Sequence, residues 1–206
     1  AGLQVGVLQQ PSGQTIDGSL KFTEGPSDNN GTTLINRDFA NEGNRKVFTF
    51  SCWFKSGNIG NTRDNQYLFS TEYELDSNTR GFALYWNRTS GKISVYDYAA
   101  SPSVWSPTAS DRNCRDTGWY HIVFAVDTYA TNGNRVKLYI NGERDTGMGE
   151  PTRNVTLNVN RTDFEHYIGS HNYQGNQIRY VDGLLSQVYF IDGQALDSSH
   201  FGFTDP

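Results

Sequence analysis

Apolar and polar residues alternate with a period of two along most of the chain. In residues 47–54, Phe48, Phe50, Cys52 and Phe54 fall on one face and Thr49, Ser51 and Trp53 on the other. That is the pattern of a strand buried on one side. Residues 81–86 repeat it with Phe82, Leu84 and Trp86 on one face, and a turn over 87–92 leads to a hairpin partner over 93–98. Residues 119–126 form the most apolar stretch, so this strand is expected at the centre of a sheet. Asn132-Gly133 and Asn141-Gly142 mark turns on either side of a strand over 136–140, and two more strands are expected over 166–169 and 184–191. No window carries a helical stripe; the segment from Asp192 to Phe201 has room for one short helical turn. About ten short strands with regular turn signals predict an all-β antiparallel sandwich.

Composition sharpens this picture. The chain has 206 residues, room for one domain, and 14% are aromatic, enough for a core of few, large side chains. Residues 1–14 lack a pattern and are expected to be an arm or linker before a domain over 15–206. Lys and Arg number 17 against 22 Asp and Glu, a net charge of −5, with no basic run to grip nucleic acid. No apolar stretch approaches the roughly 18 residues of a membrane span. Two cysteines, Cys52 and Cys114, are no disulfide framework, and free thiols are expected.

The order of the late strands resembles a known family. Residues 119–127 (WYHIVFAVD) are followed by 136–143 (VKLYINGE), 167–170 (YIGS) and 181–191 (VDGLLSQVYFI). This is similar to the laminin-G-like, concanavalin-A-like superfamily, which implies a two-sheet jelly-roll sandwich. Residues 15–22, 43–55, 67–70 and 190–196 further resemble laminin-G-like modules of tailed-phage structural proteins. That resemblance implies a virion location, other virion subunits as partners in a homo-oligomer, and contact with a host surface.

Candidate chemistry is sparse. Glu72, Glu74 and Asp76 would share one face of a strand, as paired carboxylates of a glycosidase do, but their order is not the glucanase order. They are expected to protect an exposed strand edge, so no catalytic residue is assigned. His121 is expected to be a hydrogen-bonded structural residue. Calcium is raised only by the resemblance: Asp64, Asp76, Asp111, Asp116 and Asp163 lie in loops without an Asp-x-Asp-x-Asp cluster, and no cofactor is assigned. Aromatics near loops are the better candidates for ligand contact. Trp105 sits between Pro102 and Pro107 in a polar stretch read as a stiff loop over 99–117, which would hold its ring in water. Tyr98 and Tyr173 are the other two candidates. The expected function is a non-enzymatic virion module that contacts the host surface, with a glycan as candidate ligand. The alternatives are a purely architectural capsid-decoration role and a glucanase-like hydrolase.

Overall fold

The computed structural model describes residues 16, 18–25, 31, 33–57, 65–71, 79–99 and 105–202. The expected N-terminal arm over 1–14, its boundary at residue 15, and the acidic trio Glu72, Glu74 and Asp76 lie outside the described residues. Fourteen strands follow in chain order: β1 (Leu20–Phe22), β2 (Ile35–Arg37), β3 (Val47–Ser56), β4 (Gln66–Thr71), β5 (Thr79–Asn87), β6 (Lys92–Ala99), β7 (Trp105–Asn113), β8 (Tyr120–Asp127), β9 (Val136–Ile140), β10 (Glu143–Asp145), β11 (His166–Ile168), β12 (His171–Tyr173), β13 (Asn176–Ile178) and β14 (Gly183–Asp192). The first sheet has the order β1-β14-β3-β8-β9-β10 and the second β2-β11-β4-β5-β6-β7, all pairs antiparallel. β12 and β13 form a separate hairpin. No helix among the described residues is long and apolar enough to cross a membrane.

The sandwich closes because the period-two faces meet. Phe48, Phe50, Cys52 and Phe54 of β3 and Ile122, Phe124 and Val126 of β8 are buried from one side. Phe69, Phe82, Leu84, Trp86, Ile93 and Val95 meet them from the other. Aromatic rings interlock across the gap: Phe48 with Phe82 edge-on at 5.8 Å, Phe50 with Phe69 stacked at 5.3 Å, and Phe54 with Trp86 at 5.7 Å. Such pairs contribute about 0.5–1.5 kcal/mol each beyond their buried area. Trp119 lies just before β8 and is only half-buried, a rim residue rather than a central one.

Turn chemistry fixes the register. Asn141 and Gly142 both take positive φ, 51° and 80°, as the tight turn between β9 and β10 requires. β4 carries a bulge between Tyr67 and Phe69 that sends both Leu68 and Phe69 inward while Tyr67 points out. The expected helical turn near the end is a 3-10 turn, Ser198–His200, whose Asp197 carboxylate accepts the Ser199 N–H at 3.0 Å. The chain leading to it crosses the outer face of the first sheet, where Thr49 Oγ1 donates to the Gln194 carbonyl (2.7 Å) and accepts the Leu196 N–H (2.8 Å).

Candidate functional site

The outer face of the second sheet is where side chains gather without entering the core. On β4, β5 and β6, the residues alternating with core positions are Tyr67, Tyr85, Tyr96 and Tyr98. Tyr67 faces Tyr85 across the ladder, and their rings stack at 5.1 Å. Tyr96 lies 5.9 Å from Tyr85 and 4.7 Å from Tyr98. The β12–β13 hairpin closes one flank by stacking the His171 ring on Tyr67 at 4.5 Å. Its tight turn uses positive φ at Gln174 (54°) and Gly175 (77°). Pro107 of β7 bounds the opposite flank, and Tyr173 and Arg179 complete a basin of about 280 Å³.

Arg179 is held there by several groups. Its backbone sits in the left-handed region, φ 56°, which costs a non-glycine residue about 1–3 kcal/mol and persists only where surroundings enforce it. The Tyr67 N–H donates to the Arg179 carbonyl (3.2 Å), Arg179 Nη1 donates to the Tyr67 hydroxyl (2.7 Å), and the guanidinium lies 5.5 Å from the Tyr67 ring centre. Burial, and then the Arg179 charge, push the His171 imidazole down to about 3, so it is neutral. Burial and the neighbouring Tyr67 raise the Tyr85 and Tyr96 phenols, which therefore keep their protons as donors. Among the described residues lining the basin, Arg179 is the one fixed charge and none is a carboxylate.

Asp97 lies between Tyr96 and Tyr98 but points inward and is fully buried. It accepts the Asn158 N–H (2.7 Å) and Nδ2–H (2.6 Å), and the same Nδ2 also donates to the Tyr98 carbonyl (3.0 Å). Burial pushes its carboxyl up to about 7 against the lowering by Asn158. A folded-state value above the ordinary 3.8 means that the fold binds this proton more tightly than the unfolded chain. The contribution of Asp97 to stability is therefore fully present below pH 3.8, declines as pH rises through about 7, and is level above that. Melting curves across this window should slope downward for the native chain and flatten in Asp97→Asn; equal slopes would assign the effect to another group.

The structure brings Tyr98 and Tyr173 into the one basin. It overturns the expected setting of Trp105. The stretch read as a loop over 99–117 contains β7, an edge strand with two irregularities in its pairing to β6. Its Ser, Pro and Asp content imitates a loop, because an edge strand tolerates a proline that lacks an N–H. Trp105 starts this strand pointing inward, 4% exposed, its ring 6.0 Å from Phe124 and its indole N–H donating to the Gly149 carbonyl at 3.1 Å. Tyr67, Tyr85, His171 and Arg179 were not singled out by sequence. The two tyrosines had a signal, since they occupy the faces opposite Leu68 and Leu84.

The other candidates fall elsewhere. His121 is buried, 3.2 Å from Ser51 Oγ and stacked on Trp53 at 4.8 Å. Asp111, Asp116 and Asp163 do not converge: Asp111 is on β7, Asp116 caps the Gly118 N–H at 2.8 Å, and Asp163 pairs with Arg161. Among the described residues no three acidic, His or Cys side chains are placed to hold a metal. Asp64 and Asp76 lie outside them. Both cysteines are free and buried.

A laminin-G family model, described as "Concanavalin A-like lectin/glucanases superfamily", matches residues 27–200. The chain belongs to this superfamily. No curated protein matches it in sequence. Among solved structures, the carbohydrate-binding CBM40 module of a Ruminococcus gnavus IT-sialidase superposes with a TM-score of 0.57 at 13% identity, over 81% of this chain and 96% of that one. The same module has also been solved bound to α2,3-sialyllactose. A heptameric SAP-like pentraxin of Limulus polyphemus gives 0.54 at 17% identity, over 89% and 78% of the two chains. Domains LG4-5 of mouse laminin α1 give 0.55 at 13%, this chain covering 45% of that pair. At these identities the likeness establishes the lectin and laminin-G fold.

Proposed function

We propose that this chain is a non-enzymatic module of a phage virion that holds an acidic glycan of the host surface in the tyrosine basin. The observation that carries the reading is the basin itself: the half-buried rings of Tyr98 and Tyr173 over a buried floor of Tyr67, Tyr85 and Tyr96, beside one fixed cation, Arg179. Sugars present an apolar ring face for stacking and hydroxyls for hydrogen bonds, and a pocket of few convergent polar groups in an aromatic wall suits both. The Arg179 charge favours an anionic sugar, because a hydrogen bond to an ionised carboxylate is roughly twice as strong as a neutral one. Sialyllactose, the sugar bound by the Ruminococcus gnavus module, carries such a carboxylate. The virion part of the proposal rests on the resemblance of residues 15–22, 43–55, 67–70 and 190–196 to phage modules. Repeated copies on a virion would multiply a weak single-site affinity.

The test is titration of the purified module with α2,3-sialyllactose, α2,6-sialyllactose and lactose, alongside a glycan array. Sialylated or other acidic glycans should bind and lactose should not. Arg179→Gln should weaken that binding by about 10- to 100-fold, the worth of a charge-assisted hydrogen bond of about 1.5–3 kcal/mol. Tyr98→Ala should weaken it while leaving the melting temperature near native, since Tyr98 is only half-buried. Equal affinity for lactose would remove the acidic preference, and no binding across the array would leave the architectural role.

A further inference from the structure

We infer that the basin is one end of a longer groove, so that the site takes an extended acidic polysaccharide chain rather than a single terminal sugar. The inference rests on the glycan reading above and adds the length of the ligand. Pro107 lines the basin and also a second depression of about 360 Å³, whose floor is Trp105 and whose far wall is the segment 149–152 after β10. The two compartments, about 280 Å³ and about 360 Å³, together offer more room than the basin alone. Direction follows from strand order. The basin spans β4, β5 and β6, and the second compartment lies beyond β7, at the sheet edge. At about 4.8 Å per strand, the path from β4 to β7 is already about 14 Å, more than one sugar ring covers.

The far wall is built to stay in place. Trp105 Nε1 donates to the Gly149 carbonyl (3.1 Å) and the Gly149 N–H to Thr108 Oγ1 (2.7 Å), which fastens the segment to β7. The Glu150 carboxylate accepts the Gly133 N–H (2.9 Å) and Arg135 N–H (2.7 Å) and pairs with the Arg135 guanidinium (2.9 Å), so its charge is engaged within the protein. A wall that needs no ordering loses less free energy on binding. Pro107, exposed and without an N–H, forms an apolar saddle between the compartments, while the exposed Ser106 and Thr152 offer hydroxyls on either side of the second one.

The experiment is calorimetry of the whole chain with mono- to hexasaccharide ladders of α2,8-linked sialic acid, oligogalacturonate and hyaluronan. For the ladder that binds, affinity should rise at least about tenfold from disaccharide to tetrasaccharide. Thr152→Arg and Thr152→Glu add bulk of opposite charge to an exposed position of the far wall. Both should remove most of that gain while leaving the disaccharide within about twofold of native. Affinity that is flat with length, or variants that weaken every length alike, would overturn the extended groove while keeping the basin. No binding by any ladder, with no hit on the array, overturns the glycan reading, and this inference falls with it.

Discussion

Trp105→Ala is expected to destabilise the domain by about 3–5 kcal/mol, as large aromatic truncations in a core do. For a chain of this size that is a loss of roughly 6–20 °C in melting temperature. The ring is 4% exposed and packs nearly parallel to Phe124, itself fully buried on the central strand β8. Truncation opens a void against Phe124 and strips the Gly149 carbonyl of its indole donor. Trp105→Phe separates the two effects: it keeps most of the packing and loses the hydrogen bond, at about 1 kcal/mol. Phe124→Ala should cost as much as Trp105→Ala, and the double variant less than their sum, because the two rings share one contact. Urea unfolding of the native chain and these four variants reads all three terms. A loss below about 1 kcal/mol for Trp105→Ala would return its ring to the surface, where substitutions have effects of that size.

Trp105 also shows where sequence reading stops. Strands β3 and β9 were legible because their large inward residues alternate with more polar ones, and β5, β6, β8 and β14 because they carry runs of large apolar residues. β7 was not legible, because an edge strand with irregular pairing needs few apolar positions and admits Pro107. Of the six three-residue strands, β1, β2, β10, β12 and β13 gave no periodic signal, being too short to carry one, and β11 was expected over 166–169. The site divides the same way. Tyr98 and Tyr173 were singled out one by one, but only the fold places β6 and the β12–β13 hairpin around one space. Arg179 gives no signal in the sequence: its role depends on a left-handed backbone and on Tyr67, which is 112 residues away.

Gly183→Ala is expected to be as damaging as a core truncation, though it adds only a methyl group. The Asp182-Gly183-Leu184 triplet was part of the family resemblance, and the structure supplies its physical reason. Gly183 opens β14, paired with Phe22 of β1 on one side and Ser56 of β3 on the other. A Cβ there would lie 2.1 Å from the Lys55 carbonyl oxygen and 3.0 Å from the Gly57 nitrogen. Both are backbone atoms, so relief requires the ladder to move rather than a side chain to turn. Overpacking of this kind costs about 1–3 kcal/mol where side chains can yield, and the upper end or beyond is expected here. Gly142→Ala is the control: its positive φ carries a penalty of about 1–2 kcal/mol, but nothing lies within 4 Å of the added methyl. The damage should also reach the basin. Gly57 N–H donates to the Asp182 carbonyl (2.8 Å), the Asp182 N–H to Gln66 Oε1 (3.2 Å), and the Tyr67 N–H to the Arg179 carbonyl (3.2 Å). The segment 179–182 that delivers Arg179 is thus anchored beside Gly183, and a shifted β14 start moves the guanidinium. Gly183→Ala should therefore lose acidic-glycan affinity even at temperatures where it remains folded by circular dichroism, while Gly142→Ala keeps it. Equal stability loss in the two variants would show that β14 absorbs the methyl without moving, and would detach Gly183 from the site.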